Sequence, residues 1–177
     1  MGEKLGSLPA WGPDRTVTVV IETPKGSRNK YSFDPAAGAM RLKQVLPEGM
    51  LFPYDFGFIP STKAEDGDPV DVLVLLEYPV YPGVGVKVRP VGVFNMSDEA
   101  GIDSKVIAVP AKDPRWASIV DVDDIPQQLR NEIEHFFEHY KDLEPGKWVK
   151  TEGWGSAADA DQIVENGITK LAAEGAH

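Results

Sequence analysis

A short acidic segment carries the side chains of this chain that are best suited to chemistry. Residues 66–71 read Asp-Gly-Asp-Pro-Val-Asp, and they run directly into the apolar stretch Val72–Leu76. Three like charges this close together are costly unless cations neutralise them or they share protons. Carboxylate oxygens are the ligands that Mg²⁺ and Mn²⁺ prefer in proteins. The segment therefore indicates a site for hard divalent cations at the start of a strand.

The same segment also has a purely structural explanation. Asp, Gly and Pro are common in turns because Asp accepts hydrogen bonds from nearby backbone N–H groups. A second acidic group strengthens the metal-site interpretation: Asp98, Glu99 and Asp103 follow later in the chain, with Lys105 close behind. Carboxylates from two separate segments can hold two or more divalent ions, which generate hydroxide from water and stabilise a phosphoryl displacement.

Cationic side chains that could neutralise a phosphate are present but scattered. Taken singly, each of these lysines is more often a solvated surface residue than a ligand for an anion. Tyr140 next to Lys141 is more informative, because a phenol and an ammonium at a helix end can orient a phosphate together. The candidate lysines are Lys30, Lys105, Lys141 and Lys147.

The composition predicts a single domain over residues 1–177. With 42% hydrophobic and 26% charged residues, the chain is long enough to bury its own core. It has no cysteine, which excludes disulfides and thiolate metal sites and is compatible with a reducing cytosol. Met1–Pro13 lacks the apolar run of a secretory signal, and Val72–Leu76 is too short to span a bilayer. We therefore expect a cytoplasmic protein that is not bound to a membrane.

The charge balance argues against a nucleic-acid partner. The formal net charge is −10 at pH 7, and no local basic stripe offsets it. Such a chain repels the phosphates of nucleic acids. A small anionic substrate remains possible where divalent metals reverse the local field.

The positions of β-branched residues and of Gly/Pro turns predict several short strands. Phe52, Tyr54, Phe56 and Phe58 recur at period two, which is typical of one strand face packed on a core. Short strands separated by Gly/Pro turns favour a small closed or partly closed barrel. The other predicted strands are Thr16–Glu22, a returning strand Lys30–Phe33 after the basic turn Lys25–Asn29, a strand pair or bent strand Val84–Val93 interrupted at Pro90, and Lys105–Val109.

Two helices are predicted in the second half of the chain. The first has Asp124 as its N-cap and Pro126 in its first turn, and it ends near Lys141. A second helix covers residues 157–173, although Gly167 weakens it. The apolar face of the first helix consists of Leu129, Ile133, Phe136, Phe137 and Tyr140.

The chain resembles the soluble family I inorganic pyrophosphatases. The acidic segment 66–71 matches the signature of that family, and further motifs follow in order over most of the chain. These motifs are Val19–Pro24 (VVIETP), Arg89–Phe94 (RPVGVF), Asp98–Lys105 (DEAGIDSK) and His135–Gly146 (HFFEHYKDLEPG).

The resemblance implies an α+β, mainly β fold, with a five-stranded OB-like barrel flanked by α-helices. It also implies Mg²⁺-dependent hydrolysis of inorganic pyrophosphate, with several ions per active site and Mn²⁺ or Zn²⁺ as possible substitutes. Family members of this size are commonly hexamers, so a homohexamer is expected. Carried over by position, the metal ligands are Asp66, Asp71, Asp98, Asp103 and, through water, Glu22; the general base is Asp68; and the phosphate-binding set is Lys30, Lys105, Tyr140 and Lys141.

Four positions depart from the family pattern. Ser32 replaces a glutamate, and Gln44 stands where the family has a phosphate-binding arginine. Lys43 or Arg41 is then the nearest substitute, although a lysine lacks the bidentate fork of an arginine. Phe52 and Phe56 replace two tyrosines of the active-site loop and lack their hydroxyl groups. The cluster of acidic residues is intact, so we expect an active enzyme.

Two other functions are compatible with parts of the sequence. His135, Glu138 and His139 match the inverted zinc-peptidase motif HxxEH, but the histidines lie off the apolar face of their helix, where a subunit contact is the expectation. The four departures are also compatible with a catalytically weakened protein that only binds phosphate or metal.

Overall fold

Five strands close into a ring in the computed structural model, which describes residues 5–12, 14 and 16–175. The first strand of the ring pairs with both the second and the last, so the ring is complete. This confirms the predicted five-stranded barrel. In order around the ring, the strands are β1 (Val17–Thr23), β4 (Asp55–Ile59), β5 (Val70–Val74), β8 (Lys105–Pro110) and β6 (Gly85–Asp98).

The remaining elements surround this ring. β2 (Asn29–Asp34) and β3 (Ala39–Val45) form a separate two-stranded sheet, while β7 (Gly101–Ile102) and β9 (Val149–Gly155) pair with β6. The helices are α1 (Gln127–His139) and α2 (Ala157–Glu174), and neither is long and apolar enough to cross a lipid bilayer within the described chain. Residues 1–4, 13 and 15 lie outside the described residues. They include part of the segment Met1–Pro13, which was expected to lack a secretory signal.

The barrel interior is filled by small branched side chains. Alternate residues of a strand point to opposite faces, and in each ring strand one of these sets points inward. α2 closes this interior with Ala160 and Val164, which are fully buried. The inward-facing set includes Val19, Ile21, Ile59, Val72, Val74, Val88, Val93, Val106 and Ala108.

A second core lies outside the barrel, between the ring and α1. It contains the other faces of β5 and β8, together with the aromatic series that the sequence placed at period two. Phe52 contacts Phe136 of α1 at 4.8 Å between ring centroids, and Phe56 contacts Phe137 at 6.5 Å. Phe58 lies further along the same strand and stacks on Phe33 of β2 instead. The aromatic face thus attaches both α1 and the β2–β3 sheet to the barrel.

The predicted returning strand does not pair with β1. β2 pairs with β3 throughout its length, and β1 pairs with β4 and β6. The sequence analysis missed β3 because most of its side chains are exposed, so its sequence shows no alternation. The segment 84–93 proved to be part of one bent strand, since the register of β6 shifts between Pro90 and Gly92. Pro90 has no N–H group with which to continue the ladder.

The predicted N-cap of the first long helix is wrong. Asp124 lies at the end of a separate 3₁₀ helix, where its carboxylate accepts the N–H groups of Val120 at 3.0 Å and Asp121 at 2.9 Å. The extended backbone of Ile125 separates it from α1, which begins after Pro126 without a side-chain cap. A residue that caps one short helix cannot also cap the next.

Candidate active site

The acidic loop between β4 and β5 is ordered by its own backbone. The N–H of Asp68 donates to Asp66 Oδ1 at 3.0 Å, and the N–H of Ala64 donates to the carbonyl of Asp68 at 2.7 Å. Gly67 takes a φ of +90°, which a side chain would strain. The result is a tight turn that exposes the carboxylates of Asp66 and Asp68 side by side.

Two site residues lie next to each other because of strand register. β5 and β8 run parallel, with Val72 beside Val106. The preceding residues, Asp71 and Lys105, therefore share the opposite, outer face of the barrel. Lys105 Nζ contacts Asp71 Oδ2 at 2.7 Å and Asp103 Oδ1 at 2.8 Å.

Lys105 is the most deeply buried cation of the site, with 3% of its surface exposed. Its ammonium also lies 5.4 Å from the ring centre of Phe56 and 5.8 Å from that of Phe137. Burial opposes a charged amine, but the carboxylates of Asp71 and Asp103 outweigh it and raise the pKa of Lys105. This lysine stays protonated over the physiological pH range.

A second ion pair joins the end of β6 to the end of α1. Lys141 Nζ contacts Asp98 Oδ2 at 2.7 Å and Glu99 Oε1 at 3.5 Å. Burial opposes ionisation of Asp98, but the hydrogen bonds from Lys141 and from the N–H of Ala100 outweigh it and lower its pKa. Tyr140, the adjacent C-cap of α1, is buried, which raises the pKa of its phenol. The phenol is therefore a neutral hydrogen-bond donor at neutral pH.

Glu22 belongs to a third part of the site, on β1. It is buried, and its Oε2 accepts the N–H of Phe33 at 2.7 Å. Burial, together with the negative charge of Asp71, raises the pKa of Glu22 to about 7, although Lys30 and Lys43 act in the opposite direction. Glu22 therefore lies within electrostatic range of both the acidic cluster and the lysines of the β2–β3 sheet.

A β-bulge turns Lys43 towards this region. Lys30 pairs with Gln44 and Tyr31 pairs with Leu42, so Lys43 is the extra residue between the two pairs. A bulge of this kind re-aims a side chain. Burial, with the positive charges of Lys105 and Lys43, lowers the pKa of Lys30 to about 8. Lys30 thus lies within electrostatic range of both Lys105 and Lys43.

The residues at the departing positions have other partners. The Gln44 side chain lies close enough to Glu144 to help lower the pKa of that carboxyl. Arg41, the other candidate substitute for the missing arginine, is exposed and pairs with Asp34 at 3.4 Å. Of the two, Lys43 is the residue whose charge acts on Glu22 and Lys30.

The two missing tyrosine hydroxyls have no evident replacement. Phe52 and Phe56 are buried in the outer core. Tyr54, between them in sequence, has the ammonium of Lys25 at 4.9 Å from its ring. Burial, with the negative charge of Glu132 on α1, raises the pKa of its phenol. Its electrostatic partner is therefore α1 rather than the acidic cluster.

The carboxylates of the site are chemically suited to hard divalent cations. Burial raises the pKa of Asp66 and of Asp103, and so does the charge of neighbouring carboxylates: Asp103 and Asp68 for Asp66, and Asp71 and Asp98 for Asp103. Within the described chain no three carboxylate or imidazole side chains form a ready-made coordination shell. Lysine ammonium groups lie between the carboxylates instead. Positions between carboxylates are those that favour a cation.

Most of the residues predicted from the sequence come together here. Lys147 does not join them, since it pairs with Glu144 at 3.3 Å and is half-exposed. Glu144 itself was missed, and nothing in its local sequence marks it. His135 and His139 lie on the exposed side of α1, where His139 Nδ1 pairs with Asp142 at 2.8 Å.

Comparison with known sequences finds similarity to inorganic pyrophosphatases. The sequence matches the model of the inorganic pyrophosphatase family over residues 19–172. The inorganic pyrophosphatase of Leifsonia xyli is 62% identical over 157 residues, which cover 89% of this chain and 96% of that protein. The inorganic pyrophosphatase of Sulfolobus acidocaldarius is 48% identical over 161 residues, covering 90% and 92% respectively.

Comparison with a solved structure shows the same similarity in the fold. The crystal structure of the inorganic pyrophosphatase from Thermus thermophilus superposes with a TM-score of 0.91 at 50% sequence identity. The superposition covers 95% of this chain and 98% of that one.

Burial of Lys30, together with the charges of Lys105 and Lys43, predicts an abnormal titration of this lysine. In NMR of isotope-labelled lysine side chains, with the Lys30→Arg variant identifying the signal, Lys30 should titrate near pH 8 rather than near 10.5. Its charge is present below that pH and lost above it. Replacing Lys43 by Met removes a like charge and should raise the midpoint, whereas Lys43→Arg keeps the charge and should leave it in place. An ordinary midpoint in the unmutated protein would contradict the proximity of these groups.

Proposed function

The chain belongs to the family of inorganic pyrophosphatases and hydrolyses inorganic pyrophosphate to two phosphate ions, and we propose that Mg²⁺ is its metal and that the carboxylates around Lys105 hold it. The observation that supports this proposal is the sharing of one ammonium by Asp71 and Asp103. Side chains from separate strands already meet there around one positive charge. The negative field that holds this ammonium would also favour a divalent ion on the remaining oxygens of these carboxylates.

The donor set favours Mg²⁺ because it contains only carboxylates. Mn²⁺ accepts the same ligands, whereas Zn²⁺ prefers nitrogen and sulfur and is the poorer substitute. When bound, the divalent ions would neutralise the phosphate oxygens and lower the pKa of water towards neutrality. The proposed ligands are Asp66, Asp71, Asp98 and Asp103, with Glu22 contributing through water.

The lysines of the site bind and orient the substrate in this proposal. Lys105 and Lys141 keep their charge because carboxylates raise the pKa of each. Lys30 and Lys43 face them from the β2–β3 sheet, and Tyr140 donates its phenolic hydrogen to a phosphate oxygen. Pyrophosphate hydrolysis depends mainly on positioning and charge stabilisation, which such a set supplies.

Asp68 is the proposed general base. Its backbone is held on both sides, by Asp66 and by Ala64, while its carboxylate is exposed on the loop. Its negative charge lies close enough to Asp66 to oppose ionisation of the Asp66 carboxyl. We propose that the Asp68 carboxylate accepts the proton of the attacking water.

A homohexamer in the cytoplasm remains the expectation for assembly and location. The exposed side of α1 around His135 and His139 is the proposed subunit contact. Light scattering at working concentration should give about six times the 19.3 kDa chain mass. A monomer mass would contradict this prediction.

Removing the proposed base should stop turnover. In a phosphate-release assay on pyrophosphate with Mg²⁺, Asp68→Asn should lower the rate by roughly 10²–10⁴-fold, the usual contribution of a general base. Asp34→Asn, on the exposed β2–β3 turn, is the matched control and should leave the rate unchanged. Full activity of Asp68→Asn would exclude this residue as the base. Substrate binding without phosphate release in the unmutated protein would instead favour a binding function.

Restoring the family arginine should improve catalysis. Charged hydrogen bonds contribute about 1.5–3 kcal/mol, so Gln44→Arg should raise kcat/KM by roughly tenfold or more. Gln44→Met loses the contact with Glu144 without adding a charge, and it should give no gain. If both variants behave alike, the side chain at position 44 does not reach the substrate.

A further inference from the structure

α2 contacts the acidic loop as well as the barrel core. The N–H of Lys63, at the start of the loop, donates to the carbonyl of Gly167 in the middle of α2 at 2.9 Å. Further along the helix, Lys170 Nζ donates to the carbonyl of Ala64 at 3.1 Å. An ion pair between Lys63 and Glu174 adds a third connection. The first half of the loop is thus attached to one face of α2.

Gly167 is required by this contact. A Cβ atom at this position would lie 2.8 Å from Val70 Cγ2 and 3.1 Å from Thr62 Cβ. Those two residues flank the acidic loop, one on each side. A glycine inside a helix costs about 1 kcal/mol relative to alanine. The residue that weakened the helix prediction is therefore the one that lets α2 approach both ends of the loop.

Thr62 closes the base of the same loop. Its side chain is buried, and its hydroxyl donates to the carbonyl of Ile59 at 2.6 Å. The same oxygen accepts the N–H of Val70 at 3.0 Å. Thr62 therefore joins the last residue of β4 to the first residue of β5. It fixes the distance over which the loop must close.

We infer that Thr62 and Gly167 are positioning residues for catalysis, and that α2 sets the placement of the acidic loop relative to Asp71. The inference rests on the proposed function of Asp66 and Asp68. The loop residues 65–69 are exposed, so they have little apolar packing of their own to hold them. Catalytic carboxylates must be held accurately, because a misplacement of about 1 Å can cost 100-fold in rate.

A purely structural role for α2 predicts an effect on stability and none on metal binding. Ala160 and Val164 pack on the barrel interior, and through them alone the helix would contribute to stability without affecting metal binding. The contacts of Gly167 and Lys170 lie one to two turns further on, at the loop. The two roles therefore separate by position along the helix.

The first test compares two substitutions of Thr62. Thr62→Val removes the hydroxyl at constant shape, and Thr62→Ser keeps it. In the metal-free protein, hydrogen exchange of the amides of residues 63–68 and 70 should be at least roughly tenfold faster in Thr62→Val and near normal in Thr62→Ser. The Mg²⁺ concentration for half-maximal binding, measured by calorimetry without substrate, should rise in Thr62→Val and stay near normal in Thr62→Ser.

The second test compares a substitution of Gly167, within α2, with a substitution of Gly175, the C-cap of this helix. Gly167→Ala should raise the half-saturating Mg²⁺ concentration and lower kcat, each by roughly tenfold, through displacement of the loop. Gly175→Ala is the matched control, since its Cβ would meet no atom closer than 3.7 Å. Lys170→Met, which removes the bond to Ala64 and the ion pair with Glu65 at 3.9 Å, gives a smaller change in the same direction and serves if Gly167→Ala does not fold.

The outcomes distinguish this inference from the proposed function. If Thr62→Val and Lys170→Met keep normal loop exchange and Mg²⁺ binding while Asp68→Asn is inactive, α2 has no positioning role and the inference is overturned. If Asp68→Asn is active, the proposed function fails first. Faster loop exchange with weaker Mg²⁺ binding, restored by Thr62→Ser, supports the inference.

Discussion

The buried ammonium of Lys105, shared by Asp71 and Asp103, is the interaction on which the rest of the site depends. A buried charge is tolerated only when it is paired and well hydrogen-bonded. Here the pairing follows from two features of the barrel: the parallel register of β5 and β8, and the β6–β7 turn that brings Asp103 back to the start of β8. The rings of Phe56 and Phe137 lie beside the ammonium, so the outer core holds the same group.

The two cores have different tasks. The barrel interior, filled by small branched residues and closed by α2, maintains the strand register. The outer core, rich in aromatic rings, attaches α1 and so brings Tyr140 and Lys141 to the end of β6, where Lys141 meets Asp98. The acidic residues thus depend on the barrel, whereas the cations of α1 depend on aromatic packing. The two helices thus pack against different cores, α1 against the outer one and α2 against the barrel interior.

The cations that the β2–β3 sheet contributes near Glu22 are lysines. Gln44 carries no charge and Arg41 pairs with Asp34, whereas the charges of Lys30 and Lys43 act on Glu22. An arginine keeps its charge at any physiological pH, but a lysine next to like charges does not. Burial and two neighbouring ammonium groups lower the pKa of Lys30 to about 8. The charge of Lys30 therefore depends on pH more than the charge of an arginine would.

The class of fold and the residue types of the candidate site could be predicted from local sequence patterns. The carboxylates of residues 66–71, the period-two aromatic residues and the apolar face of α1 are local patterns, and local patterns predict elements well. Other features became visible only in the folded chain. The pairing of β2 with an exposed β3, the bulge at Lys43, the separation of Asp124 from α1 and the approach of Gly167 to the acidic loop were not predicted. Each depends on strand register or helix placement, which contacts between distant residues determine and no short stretch of sequence encodes.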